Sequence, residues 1–485
     1  MAHHQRWHCP LMITARALHA IGLTALLILT LGCGGNTRGV TSTLSSTIVS
    51  GVSPATAAGP AAGGGAGAGL SSDWPCYHHD PARTGVSSDQ EALGDVKQLW
   101  TSVQLDGENI YAQPLVAGNR VLAATEGNSV FALEASSGSV LWHVNFGKPV
   151  PGSALPCGNI DPSGITGTPV IDTSSGTTYV VAFLEQGPHH ELFALDLATG
   201  ATRWHKTVDP PGLSPLVEQE RAALALAGGR VYVAYGGLFG DCGNYKGAVV
   251  SVAADGSGSP QSYVMPTQRE AGLWNPTGPV VDANGDLWVV TGNSQSQGAF
   301  DYGNAVIRLS PDLSVQDYFA PEDWARLNAG DLDLGSLGAA LLPGGKVFAA
   351  GKTGTAYLLD AGNLGHVSAA VPTTDLGSSP FGSTAVVGSR VVVPCTGALV
   401  AVDVSSKALA VAWSVPGGSG SPIIAAGHMW SLGYDGKLRA IDPSSGAVVF
   451  TLQLGQPATR FITPSAAAGR LFVADGRTIT AIALR

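Results

Sequence analysis

The sequence predicts an all-β protein: an eight-bladed β-propeller of four-stranded antiparallel blades, its ring closed by a strand from near the N-terminus. Three observations lead there. Composition comes first: only 12 % of the 485 residues are charged, while 65 are Gly and 30 Pro. Long amphipathic helices are excluded by that balance, and frequent Val, Thr, Ala and Gly favour short strands joined by tight turns. Second, a template recurs along the chain. Third, one strand near the N-terminus has no repeat of its own and can complete the last repeat.

The template is clearest in "VFALEASSGSVLW" (130–142), "LFALDLATGATRW" (192–204) and "LRAIDPSSGAVVF" (438–450). Each copy has an alternating apolar strand, an acidic position, a turn ending in Gly and a strand ending in an aromatic residue. Weaker copies begin near residues 249, 306, 356, 399 and 479. A small or turn residue opens an apolar strand ahead of each copy, at Pro114, Pro169, Ala223, Pro279, Ala340, Thr384, Pro422 and Pro464. Successive markers lie 38 to 61 residues apart, the size of a four-stranded blade with variable loops. The eighth unit runs out after "ITAIALR" (479–485), one strand short, and "KQLWTSVQL" (97–105) is the unclaimed strand. Pairing the two removes both exposed edges. An open β-solenoid is the alternative, and it has no use for the spare strand.

Ahead of the repeats, Arg6 and Arg16 precede the apolar run "IGLTALLILTLG" (21–32), followed by Cys33. The run is too short to span a bilayer comfortably and reads as a signal-peptide core. "TLGC" resembles a bacterial lipobox, although Thr30 stands where Leu is usual. Lipidation of Cys33 is therefore expected, with ordinary signal cleavage as the alternative. Residues 34–72 are Gly, Ala, Ser and Thr with hardly a charge. They read as a flexible linker with an r.m.s. reach of about 35 Å. The expected organisation is a signal segment over 1–33, the linker over 34–72 and the propeller over 73–485. The expected location is outside the cytoplasm, on a membrane-anchored lipoprotein of the periplasm or cell surface. A net charge of −10 without any Lys/Arg cluster excludes a nucleic-acid surface. No Ser-His-Asp order, phosphate loop or HExxH motif supports a hydrolase or nucleotide enzyme.

Four cysteines fall within the repeats: Cys76, Cys157, Cys242 and Cys395. Neighbouring blades bring glycine-rich loops such as "LPCGNID" (155–161) and "GDCGNY" (240–245) together. Cys157–Cys242 is the expected disulfide, and Cys76 and Cys395 are left unassigned.

The repeat A-x-D-x-x-T-G-x-x-x-W, present as Ala194, Asp196, Thr199, Gly200 and Trp204, resembles that of the pyrroloquinoline-quinone-type (PQQ-type) β-propellers. "DWPCYHHDPARTGVS" (73–87) is similar to the segment that introduces such propellers in exported bacterial proteins. The resemblance implies that the repeat Trp of one blade docks on its neighbour, which Trp142, Trp204 and Trp413 retain and Phe450 replaces. The superfamily holds dehydrogenases, assembly lipoproteins and many proteins of unknown role, so the resemblance leaves the chemistry open.

Two readings compete, and a further alternative, an outer-membrane assembly lipoprotein-type scaffold, shares the fold and anchor without a contact motif in the sequence. In the quinoprotein alcohol dehydrogenases that the chain resembles, a "TGN" strand end supplies an Asn ligand to calcium, and a later "D-N" supplies the base. Here these are Asn293 and Asp301, within "VVTGNSQSQGAFDYGN" (289–304). "GKTGTAYLLD" (351–360) is similar to the strand whose Lys faces the quinone, giving Lys352. PQQ and calcium are the cofactors this implies. The pattern departs at the calcium Glu: "GGLFGDCGNYKG" (236–247) puts Leu238 there, with Asp241 three residues away. The adjacent Cys-Cys pair of many such enzymes is missing too. The competing reading is a binding module. Asn159, Asp161, Arg221, Arg269, Trp274, Asp331, Asp333 and Arg460 all precede strand-opening markers, positions that a propeller gathers on one face. Arg221, Arg269, Trp274 and Lys352 are the residues expected to hold a ligand there. The expected partner is an unidentified envelope protein or a small polar ligand, with the chain a monomer. His189 and His190 read as solvated turn residues.

Overall fold

A computed structural model describes residues 73–88, 92–417, 420–455, 457 and 459–485. The expected signal segment, Cys33 and the linker lie outside the described residues. The rest forms eight antiparallel sheets. They occupy residues 115–145, 170–207, 225–264, 280–321, 340–375, 385–416, 423–453 and, for the eighth, 465–483 with 97–101. Blade three gains a short strand, Glu218–Gln219, and blade four gains His366–Ser368 in parallel against Val315–Pro321.

Closure is as the spare strand requires. Lys97–Thr101 pairs antiparallel with Thr478–Ala483, Lys97 opposite Ala483 and Thr101 opposite Thr480. The last blade thus takes its outer strand from the first part of the chain, and the ring has no open seam.

Within each blade, burial follows position. The middle strands are buried nearly throughout, as in Thr177–Leu184 and His189–Asp196. Outer strands such as Val140–Asn145 and Thr202–Thr207 alternate exposed and half-buried positions. Repeat aromatics fill the wedge between diverging sheets. The Trp100, Trp142 and Trp413 indoles donate from Nε1 to Ala135, Leu197 and Pro443 carbonyls of the following blade, each at 3.2 Å. Each ring lies on the template's turn glycine. A Cβ on Gly200, at φ +76°, would meet the Trp142 ring at 2.6 Å, and one on Gly446 would meet Trp413 at 2.9 Å. The T-G-x-x-x-W spacing thus encodes one contact: a left-handed glycine in one blade and an indole in the blade before it.

Residues 74–87 thread the ring and bond to its inner strands. The amides of Val116 (blade one), Ile171 (two), Val281 (four), Val386 (six) and Ile424 (seven) donate to Trp74, Pro75, Pro81, Thr84 and Gly85. Arg83 reaches the Leu224 carbonyl of the loop opening blade three at 2.7 Å, and Tyr77 donates to Ser421 Oγ at 3.3 Å. Tyr77 also lines a small void together with Tyr111, Arg221 and Phe461. The central channel therefore has a floor. It is a cup, not a through-hole.

Candidate functional site

Antiparallel order dictates where function can sit. The loop from second to third strand, and the loop from each fourth strand to the next blade, emerge on the same face. These loops surround a cavity of about 610 Å³. Asn159, Arg221, Trp274, Asp331, Asp333 and Arg460 line it from the inter-blade loops, and Lys352 and Tyr434 from the second-to-third-strand loops. That volume is typical of a site for a small organic molecule.

One wall, carried by blades three to five, is fully paired. Lys352 Nζ lies 2.7 Å from Asp333 Oδ2 and 2.8 Å from Asp331 Oδ1. The other Asp333 oxygen accepts the Asn293 amide at 2.6 Å. Asp333 is 4 % exposed, and burial raises its pKa against the pull of Lys352 and the Asn293 amide. Burial acts against the Lys352 ammonium, but the two carboxylates overcome it and raise its pKa. Asn293 Nδ2 donates to Glu270 at 3.3 Å, and Glu270 pairs with Arg269 at 3.0 Å. Arg269 also donates to the Asp241 and Gly243 carbonyls, and Tyr245 donates to Asp241 Oδ1 at 2.6 Å.

The opposite wall is built differently. Arg221 lies over the Phe461 ring at 5.1 Å, and Arg460 lies over Phe381 at 4.8 Å and Tyr434 at 5.8 Å. Trp274 stands between the walls, 6.3 Å from both Phe381 and Phe461, with Lys352 Nζ 5.8 Å from its ring. Three further carboxyls, those of Glu126, Glu218 and Glu220, are buried. Glu126 Oε2 accepts the Gly164 amide at 2.6 Å and Thr166 Oγ1 at 3.1 Å, and Oε1 has no partner. Burial pushes Glu126 up to about 7, Glu218 up to about 8, and Glu220 well above the usual carboxylate range.

The structure brings Asn293 and Lys352 together, and the carboxylate on which they converge is Asp333. Asp301 is not at the cavity: it accepts Ser294 Oγ at 2.6 Å and the Gly303 amide at 3.3 Å. The cause is local. Asn328 Oδ1 accepts Asn304 Nδ2 at 2.9 Å and the Ser294 amide at 3.0 Å, and Asn304 Oδ1 accepts the Leu334 amide at 2.6 Å. Asn304 takes a left-handed φ of +54°, and the loop closes on itself instead of reaching the cup. Arg221 and Trp274 line the cup, whereas Arg269 stands behind it and holds the 241–243 loop. Cys157 and Cys242 are joined, their Cα atoms 6.1 Å apart, bracing that loop against blade two; Cys76 and Cys395 are buried free thiols. His190 departs from the sequence reading. It is 2 % exposed, stacked on Phe183 and 2.8 Å from Asp209. Phe381, Phe461 and Tyr434 were not among the expected site residues, since a lone aromatic in a loop carries no periodic signal.

A calcium ion held as the resemblance implies does not fit this donor set. Leu238 is 2 % exposed and packs with Val150, Leu155 and Phe183. Both Asp333 oxygens already have partners. Among the described residues no cluster of three or more His, Cys, Asp or Glu is arranged for a metal ion.

A family model described as outer membrane protein assembly factor BamB matches residues 91–363 and 320–485, most of the chain. The chain belongs to that family. Among solved structures, this BamB-family chain resembles quinohemoprotein alcohol dehydrogenase from Comamonas testosteroni with a TM-score of 0.67 and 16 % identity. That match covers 86 % of this chain and 81 % of the other. A europium-containing methanol dehydrogenase gives 0.63 at 13 % identity, covering 85 % and 98 %. BamB from Moraxella catarrhalis gives 0.54 at 16 % identity, covering 80 % and 98 %. At such identities the likeness is one of fold. No curated protein matches the sequence significantly. The PQQ-type propeller read from the repeat is thus shown, and alcohol dehydrogenases and BamB share the fold.

Proposed function

We propose that this BamB-family propeller is a binding module exported to the cell envelope, anchored through a lipid on Cys33, with the cup as its binding site. One observation carries the reading. The carboxylates nearest Lys352 and Asn293 are already neutralised and hydrogen-bonded by the protein, so the paired wall is a rigid support and not an open metal centre. Recognition falls to the aromatic and cationic wall facing it. Membership of the BamB family supports a protein-binding role. The linker would hold the cup away from the membrane.

A second reading has a specific observation in its favour. Asp333 lines the cup with Lys352 and accepts the Asn293 backbone amide, and the quinoprotein resemblance assigns roles to Asn293 and Lys352. One experiment separates the two. The protein is incubated with PQQ and Ca²⁺, then assayed for bound chromophore and for dye reduction with simple alcohols. The binding reading expects no turnover. Stoichiometric chromophore with turnover that Asp333→Asn abolishes would establish the dehydrogenase instead. Labelled palmitate appearing on the wild type but not on Cys33→Ser is the expected outcome for the anchor.

A further inference from the structure

We propose that Arg221 and Arg460 form an oxyanion site in the cup, for a small organic ligand carrying two or more carboxylate or phosphate groups and taken up without a metal ion. The proposal rests on the cup being the binding site and names its ligand class.

The argument starts from the counter-charges. Other cations around the cup are engaged: Lys352 with Asp331 and Asp333, Arg269 with Glu270 and two loop carbonyls. Farther out, Arg439 pairs with Asp435. Among the described residues, the Arg221 and Arg460 guanidiniums have neither ion pair nor hydrogen bond. Each rests only on aromatic rings. Stacking holds a guanidinium in place through its face and leaves its N–H donors free along the edge, the geometry that grips carboxylate or phosphate two-pronged.

The arrangement is unfavourable without a ligand. Arg221 is half-buried, and its pKa is lowered by burial, with the Arg460 charge acting in the same direction. A desolvated cation without a counter-charge is costly, and two in one cavity repel. Glu126 is the carboxyl in Coulombic reach of Arg221, but it is held by Gly164 and Thr166 and pushed up to about 7, so it neutralises Arg221 incompletely. Asp241, Asp331 and Asp333 line the same cup, where Tyr245 and Lys352 occupy them. An anion seated between the arginines relieves the repulsion and finds unused donors.

Shape sets the ligand's size. A side cleft of about 260 Å³ opens between blades six and seven, and Phe381, Tyr434 and Arg460 line both it and the cup. Arg460 therefore stands at a junction, and the combined space exceeds a bare inorganic ion. Flat apolar rings around the two cations suit an organic frame between charged ends.

The test uses the purified full-length protein in EDTA at low ionic strength, with citrate and inorganic phosphate as probes, followed by calorimetry and by tryptophan emission. The Trp274 contribution is isolated by comparison with Trp274→Phe. The expected result is saturable binding that moves Trp274 emission and weakens as salt rises. Arg221→Gln and Arg460→Gln should each weaken it at least tenfold, Arg460→Lys less, and Arg390→Gln, on a pair with Asp403, not at all. Thermal melts of every variant separate loss of binding from loss of fold, and Arg460→Lys serves if a Gln variant fails to fold. Failure of both probes to bind the wild type, or equal binding by folded Arg→Gln variants, overturns the proposal. A probe that moves Trp274 emission regardless of either arginine would leave the cup a binding site and remove only the oxyanion assignment.

Discussion

The two walls of the cup use the same residue types to opposite ends. On the wall of blades three to five, each cation meets a carboxylate: Lys352 with Asp331 and Asp333, Arg269 with Glu270. On the facing wall, Arg221 and Arg460 meet only aromatic rings. Satisfied buried networks rigidify, because every polar group has its partner and any movement breaks several bonds at once. Unsatisfied cations do the reverse: they store a demand that a ligand can meet. One wall is therefore read as scaffold and the other as recognition surface. The difference lies in pairing: the first wall sets Asp241, Glu270, Asp331 and Asp333 around Lys352 and Arg269, whereas the second sets no carboxylate against its arginines.

The largest expected effect breaks the scaffold wall. Asp333→Ala leaves the Asn293 amide without its acceptor and Lys352 with Asp331 alone. Removing one member of a buried pair costs about 3–5 kcal/mol, and the surviving Asp331 contact puts the expectation near the lower end. Urea unfolding measures it. A loss below about 1 kcal/mol would mean that this wall is not the rigid one.

The disulfide sharpens the same contrast, because it ties the 241–243 loop, on which Arg269 acts, to the neighbouring blade. Replacing Cys157 and Cys242 by Ser should lower stability by about 2–4 kcal/mol, chiefly by freeing the unfolded chain. Tryptophan emission from Trp274 should change little, since its ring is held by Phe381 and Phe461 from the other wall. A large emission change would show that the two walls are mechanically one.

Protonation gives a third probe. Glu126 is an acid whose folded pKa, about 7, exceeds its ordinary 4.5. Between those values the folded state holds a proton that the unfolded state has released. Stability should therefore fall as pH rises from 4.5 to 7 and level off above, by at most about 1.4 kcal/mol per pH unit from this group. Glu126→Gln should flatten that part of the slope and stabilise the protein at pH 8. The sign is the reverse of a salt-bridged carboxylate. An unchanged slope would place a counter-charge on Glu126 and weaken the case that Arg221 lacks one.

How much of this was legible depends on what carried the signal. The ring follows from a local pattern repeated eight times, its closing strand from the one strand left over, and the glycine–tryptophan contact from a spacing kept at Gly138, Gly200, Gly256 and Gly446. Asn159, Arg221, Trp274, Asp331, Asp333 and Arg460 were also legible as a group, since each precedes a strand-opening marker and topology places all such loops on one face. Pairing was not legible. Asp301 lies eight residues after Asn293 and looks like its partner, yet Asn293 binds Asp333, forty residues on, while Asp301 turns to Ser294. The three asparagine bonds that close the 294–304 loop have no signature in a linear reading. His190 shows the same limit, buried by a stack on Phe183 that only the folded sheet creates.

The smallest expected effect is also the one that separates the walls most cleanly. Arg460→Ala removes cation–π contacts with Phe381 and Tyr434 worth about 0.5–1 kcal/mol each at a site of this exposure. It also removes the repulsion that Arg460 exerts on Arg221, which acts in the opposite direction. The two contributions offset, so stability should change by less than about 1 kcal/mol, in contrast with Asp333→Ala across the cup. Such a result would show that folding does not depend on Arg460. A loss of several kcal/mol in a urea titration of Arg460→Ala would contradict that. It would make the arginine a structural pillar and put both walls on the same footing.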